Sequence, residues 1–265
     1  DCLCVVMERQ QFRIGLVGRL ELLAGLTISF MQMSEEQRER WLNDCDSFVQ
    51  EDNEQEEAVG GGGGGGAIMG KNWESCGANV RARAKSLFAM ITDGFLDGSA
   101  LCWKAVEAKL GQSFSLREKG MSNWWRLREA SLTALCSITH KRPLKSIKLE
   151  SASMSRLLAN ILASDISPTL SSSSSLSLLA GEMGLLAGRA LSCAADLCPF
   201  VGIGDSMPFV HAAAATLGQR HSKIAIIGAC RALSTYCPLL PAQVLAPFMP
   251  TVLTSLSSLL QFVLE

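Results

Sequence analysis

One stretch, "QEDNEQEEAVGGGGGGGAIMGKN" from Gln50 to Asn72, carries residues of two different chemistries. Gly65, four intervening residues and Gly70-Lys71 have the spacing of a phosphate-binding loop. Such a loop needs a buried strand in front of it, so that its glycines sit rigidly at a helix N-terminus. Here Glu56, Glu57, Ala58 and Val59 precede the glycines, and Asn72 stands where a Mg²⁺-binding Ser or Thr belongs. The carboxylates repel the phosphates that Lys71 should attract. Gly60–Gly66 therefore reads as a flexible linker, and no cofactor is expected.

The acidic half is the stronger signal. Asp44, Asp46, Glu51, Asp52, Glu54, Glu56 and Glu57 follow one another with no Lys or Arg among them. Residues 1–72 hold 13 acidic and 6 basic side chains (net −7), the remainder 12 and 18 (net +6), which together give the chain's −1. A like-charged block repels itself and stays solvated until a cationic partner arrives. Phe48 and Val49 interrupt the tract and are placed to pin its start to a scaffold or to dock a partner. The expected partner-binding set is thus Asp44, Asp46, Phe48, Val49, Glu51, Asp52, Glu54, Glu56 and Glu57.

Other chemistries find little support. The ten cysteines are scattered, mostly in apolar helical stretches such as those around Cys102, Cys136, Cys193 and Cys230, with no C-x-x-C. Buried, reduced thiols and a reducing compartment are expected, and no metal site. His140, His211 and His221 lie far apart with no nucleophile motif nearby, so an enzyme is not expected. Lys141, Arg142, Lys145 and Lys148 form a basic loop too small, and too poor in aromatics, for a nucleic-acid surface. The stretch "IGLVGRLELLAGLTISFMQM" is interrupted by Arg19 and Glu21, so no membrane span is expected.

The elements that must position the tract are helices. Apolar side chains are 48% of the chain, and a single tyrosine and few β-branched runs argue against a β protein. Val80, Ala84, Leu87, Phe88, Ile91 and Phe95 fall on one helical face. After "DGS" a second helix carries Leu101, Ala105, Val106 and Leu110. A second pair runs through Leu127, Ala130, Ala134, Leu135 and Ile138, then Met154, Leu157, Leu158 and Ile161. Further pairs cover 176–197 with 206–218, and 222–236 with 246–265. The first helices start near 79, 123, 176 and 222, at intervals of about 44, 53 and 46 residues. That is the period of HEAT and armadillo arrays, in which each pair covers the apolar face of the one before. The expected fold is an all-α, α-α superhelix: helices of a partial repeat at 1–33, an acidic and Gly-rich loop at 34–72, and about four helix pairs at 73–265 with a Ser-rich insert near 168–177. Trp124 and Trp125 point to different sides of their helix, one into the core and one to a repeat junction. Arg189 and Arg231 read as packing contacts between repeats. The chain, opening without Met and stopping inside an apolar helical pattern, reads as a piece of something longer.

Several segments resemble the importin-β family of nuclear transport receptors. "SEEQRERWLNDCDSFVQEDNEQ" is similar to its central acidic segment, matched at Ser34, Glu35, Glu36, Gln37, Trp41, Asp44, Phe48, Val49, Glu51, Asp52 and Glu54. "NWWRLREASLTAL" (123–135), "LLAGRALSCAADLCPF", "CRALSTYC" (230–237) and "VLAPFMPTVLTSL" (244–256) resemble, in the same order, segments of its importin-9 branch.

The resemblance implies a HEAT-repeat karyopherin that shuttles between cytoplasm and nucleus, with nucleoporins as contacts and Ran-GTP as the release signal acting through the full-length receptor. It implies basic protein cargo, histones and ribosomal proteins, without direct nucleic-acid or membrane binding. A mobile carboxylate tract suits such cargo, because it competes with nucleic-acid phosphates for Lys and Arg side chains. The alternative is an α-solenoid scaffold without transport activity, which gives no reason for the Trp…Phe-Val…acidic series.

Overall fold

The computed structural model describes residues 15–51, 80–139, 151–171, 178–218 and 222–264, and among these every regular element is helical and none is a strand. The protein is all-α. It forms two compact units, Asp1–Pro143 and Leu144–Glu265. The boundary falls between the two helices expected to make the second pair.

In the first unit a 3-10 turn, Val17–Arg19, leads into α1 (Leu20–Phe30) and α2 (Glu35–Asn43). The chain continues helically over 45–51. Then come α3 (Val80–Gly94), α4 (Gly98–Glu118) and α5 (Trp124–Thr139). α1 packs on α3, α4 and α5, and α4 packs on α3 and α5. The turn between α3 and α4 requires glycine, because a Cβ on Gly98 would stand 2.1 Å from the carbonyl oxygen of Ile91. α4 ends where Gly120 turns to φ +70. Its N–H reaches Arg117 O at 2.9 Å and that of Met121 reaches Leu116 O at 3.0 Å, the paired bonds of a Schellman cap.

α5 departs from the one-sided stripe that its spacing predicts. Every side chain from Leu127 to Leu135 is buried. Its Ala, Ser and Thr residues are small enough for neighbours to close on all sides. The hydroxyls of Ser131 and Ser137 donate back to Leu127 O and Thr133 O at 2.7 and 3.1 Å, so they bring no unmet donor inside. Of the two tryptophans, Trp125 is buried and Trp124 half-buried under the guanidinium of Arg117, 4.8 Å from its ring centre.

The second unit opens with α6 (Ser151–Ile161), a π turn (Leu162–Ile166) and α7 (Ser167–Ser171). The Ser-rich insert expected near 168–177 thus begins inside a helix, and 172–177 lie outside the described residues. The π turn has a cause. Pro168 brings no N–H, and its ring cannot sit against the carbonyl one turn back. The N–H and hydroxyl of Ser167 reach Leu162 O instead, the hydroxyl at 2.9 Å. Beyond it, the hydroxyl of Thr169 donates to Met183 O at 3.4 Å.

α8 (Leu178–Leu197), α9 (Ile203–Leu217), α10 (Lys223–Leu239), α11 (Ala242–Leu245) and α12 (Met249–Leu264) complete the unit. α8 packs on α9 and α10, α9 packs on α10, and α12 rests on α9. α8 and α10 meet backbone to backbone: a Cβ on Gly228 would come 2.4 Å from Gly188 Cα, and one on Gly188 would come 2.8 Å from Ile224 O. Arg189 is buried in α8 and Arg231 is half-buried on α10.

The cysteines divide. Cys102, Cys193 and Cys198 are buried free thiols, and burial pushes that of Cys102 up to about 12. Cys230 and Cys237, expected inside, are exposed on α10. Apolar neighbours in sequence do not decide which face of a helix looks inward. Among the described residues no helix is long and apolar enough to cross a membrane.

The glycine contact gives the first prediction. Gly228→Ala should force α8 and α10 apart and lower the urea-unfolding free energy by roughly 1–3 kcal/mol. Gly204→Ala on α9, with nothing within 4 Å of the new methyl, should leave it unchanged or slightly higher.

Candidate partner-binding site

The acidic tract begins on a well-capped short helix. Ser34 sits extended before α2 and its hydroxyl oxygen accepts from the Gln37 N–H at 3.1 Å. Glu35 and Glu36 follow in the first turn, where the helix dipole favours negative charge. Glu35 also pairs with Arg38 on its own helix and with Arg126 on α5. Only Gln37 and Trp41 of α2 are buried.

Trp41 is fully enclosed. Phe48 meets its ring edge-on, with centroids 5.0 Å apart, and the Arg81 guanidinium lies 5.5 Å from the ring centre. Arg81 and Glu129 are each only 2% exposed and form a two-pronged pair, at 2.8 and 2.7 Å. Arg81 also donates to Met31 O at 2.6 Å and to the Thr133 hydroxyl at 3.3 Å. One guanidinium thereby joins the end of α1, Trp41 of α2, its own α3, and α5.

The chain reverses at Asp44. Its carboxylate accepts from the Asp46 N–H at 3.0 Å and from the Ser47 hydroxyl, capping the helical stretch 45–51. That stretch brings Phe48 onto Trp41 and carries Glu51 back to α2. Glu51 Oε2 accepts from Gln37 Nε2 at 2.9 Å and Trp41 Nε1 at 3.1 Å, while Oε1 pairs with Arg40 at 2.7 Å.

The structure therefore sorts the expected site residues. Phe48 and Glu51 converge on Trp41, and Asp44 is the cap. Asp46 points to solvent and Val49 is half-buried. Asp52, Glu54, Glu56 and Glu57 lie outside the described residues, as do Gly60–Gly66, Lys71, His140, His221, Arg142, Lys141, Lys145 and Lys148. The expected picture of one solvated tract starting at Asp44 is corrected over 44–51. Two of its carboxylates are engaged by donors in a folded reversal, because Asp44 has N–H groups to cap and Glu51 has three donors within reach.

Sequence reasoning missed Arg81, Glu129 and Arg40. The one available signal was Glu129, the single acidic side chain of α5; α3 carries Arg83 and Lys85 beside Arg81, and spacing sets none of the three apart. Among the described residues no group of three His, Cys, Asp or Glu could hold a metal ion.

Removing one half of the buried pair strands the other. Arg81→Met or Glu129→Leu alone should cost roughly 3–5 kcal/mol by denaturant unfolding, and the double variant distinctly less than the two losses added.

The carboxyl of Asp44 is held below the usual carboxylate range, chiefly by the Ser47 hydroxyl and N–H, and that of Glu35 chiefly by its hydrogen bond from Arg126. Folded values below the unfolded ones mean stability that is complete above about pH 5 and is lost as pH falls through the depressed values. NMR titration should show Ser47→Ala raising the Asp44 value and Arg126→Gln raising that of Glu35. No model of a known protein family matches the chain.

Proposed function

We propose that this chain belongs to a nuclear import receptor of the importin-β type, similar to the importin-9 branch, that carries basic protein cargo such as histones and ribosomal proteins. The supporting observation is the contact set around Trp41. Ser34, Gln37, Trp41, Asp44, Phe48 and Glu51, which carry the resemblance to the family's acidic segment, are tied to one another by caps, hydrogen bonds and a ring contact. They form one device that seats an acidic tract on helices.

The packing order supports a HEAT-type array. In the first unit α3 touches α5; in the second, α8 touches α10. Alternate helices contact each other while successive helices pair, which is how stacked hairpins extend a core. On such a scaffold the tract screens the Lys and Arg side chains of cargo and speeds encounter through long-range attraction. Ran-GTP, acting on the full-length receptor, would release cargo by negative coupling, and nucleoporin contacts would carry it between cytoplasm and nucleus.

A salt-series titration with a labelled core-histone dimer tests this reading. The variant neutralises Asp46, Asp52, Glu54, Glu56 and Glu57 and leaves the capping Asp44 and the engaged Glu51 intact. Binding should weaken more than about tenfold near physiological salt, with a shallower salt slope. Equal binding by both proteins would remove the cargo role and leave a helical scaffold.

A further inference from the structure

Glu51 sits in the acidic series but does not have the surroundings of a cargo-facing carboxylate. Its two oxygens take three donors spaced along one face of α2, Gln37, Arg40 and Trp41. Two of those donors, Gln37 and Trp41, are themselves buried, at 4% and 0% exposure. A carboxylate exchanging freely with a cationic partner would have to give up all three bonds, one of them charge-assisted. The same helical stretch is fixed again one turn earlier by Phe48 against the Trp41 ring, and at its start by the Asp44 cap. Asp46, by contrast, presents its side chain to solvent.

We infer that Glu51 is a positioning residue: its carboxylate latches 45–51 to α2 and fixes where the acidic tract begins on that helix. The role in cargo capture rests on the function proposed above; the latch itself does not. A latched 45–51 holds the exposed carboxylate of Asp46 in one place beside α2, which raises its effective concentration at a cationic surface docked there. Loss of the latch therefore weakens binding by more than the loss of one charge does.

The test compares two changes of equal charge in the full chain, Glu51→Gln and Asp46→Asn. Glu51→Gln should speed amide hydrogen exchange over 45–51 by about tenfold or more, the effect of losing a charge-assisted bond at a local opening, and should move the Trp41 indole N–H resonance. Asp46→Asn should do neither. Arg40→Gln, which removes only the ion pair, should give an intermediate exchange rate. With the core-histone dimer as probe, Asp46→Asn should make the salt slope shallower, while Glu51→Gln loses more affinity with a smaller change of slope. Identical exchange and identical affinity in the two would overturn the latch. Faster exchange in Glu51→Gln, with no histone binding by any form of the protein, would uphold the latch and remove the cargo reading.

Discussion

A guanidinium and a carboxylate leave water at a cost of several kcal/mol per ion, which only good geometry and further hydrogen bonds offset. In the first unit Arg81 and Glu129 meet that condition with a two-pronged pair, a third bond to Met31 O and a fourth to Thr133. The rest of the unit is arranged around this contact. α2 has almost no apolar surface of its own, yet it stays in place because Trp41 slots beside the same guanidinium and Glu35 reaches Arg126 on α5. The start of the acidic tract is in turn mounted on Trp41. A chain of dependence thus runs from one buried ion pair, through one indole, to the start of the acidic tract.

The second unit is held by different means. Its α8 and α10 backbones approach at Gly188 and Gly228 until no side chain fits between them. Close approach multiplies small dispersion contacts over a wide area, whereas a buried ion pair concentrates its effect at a point. The first arrangement tolerates little change in volume, the second little change in charge.

Much of the fold was legible because its signals are local. The 3–4 spacing at Val80–Phe95 and the "DGS" turn each report on a few neighbouring residues, and those helices lie where these signals put them, whereas α2 and the helical 45–51 stand in a stretch expected to be loop. What was not legible depends on which faces meet. Cys230 and Cys237 sit among apolar neighbours yet face outward. α5 shows a stripe in sequence and is buried all round. Glu51 reads as one acid among seven until Gln37, Arg40 and Trp41 are brought beside it, ten to fourteen residues away in sequence. Tertiary contacts alone mark out Glu51, whereas Asp44 caps through Asp46 and Ser47 close by in sequence.

The π turn before Pro168 has a geometric consequence of its own. An α-helix advances about 100° per residue, so one extra residue within a turn rotates everything after it by roughly that angle without bending the chain away. Thr169 faces Met183 on α8 because of that rotation. The Leu162–Ile166 segment therefore sets phase rather than length. Losing one residue there would keep the helix continuous and turn a different side of α7 toward its neighbour.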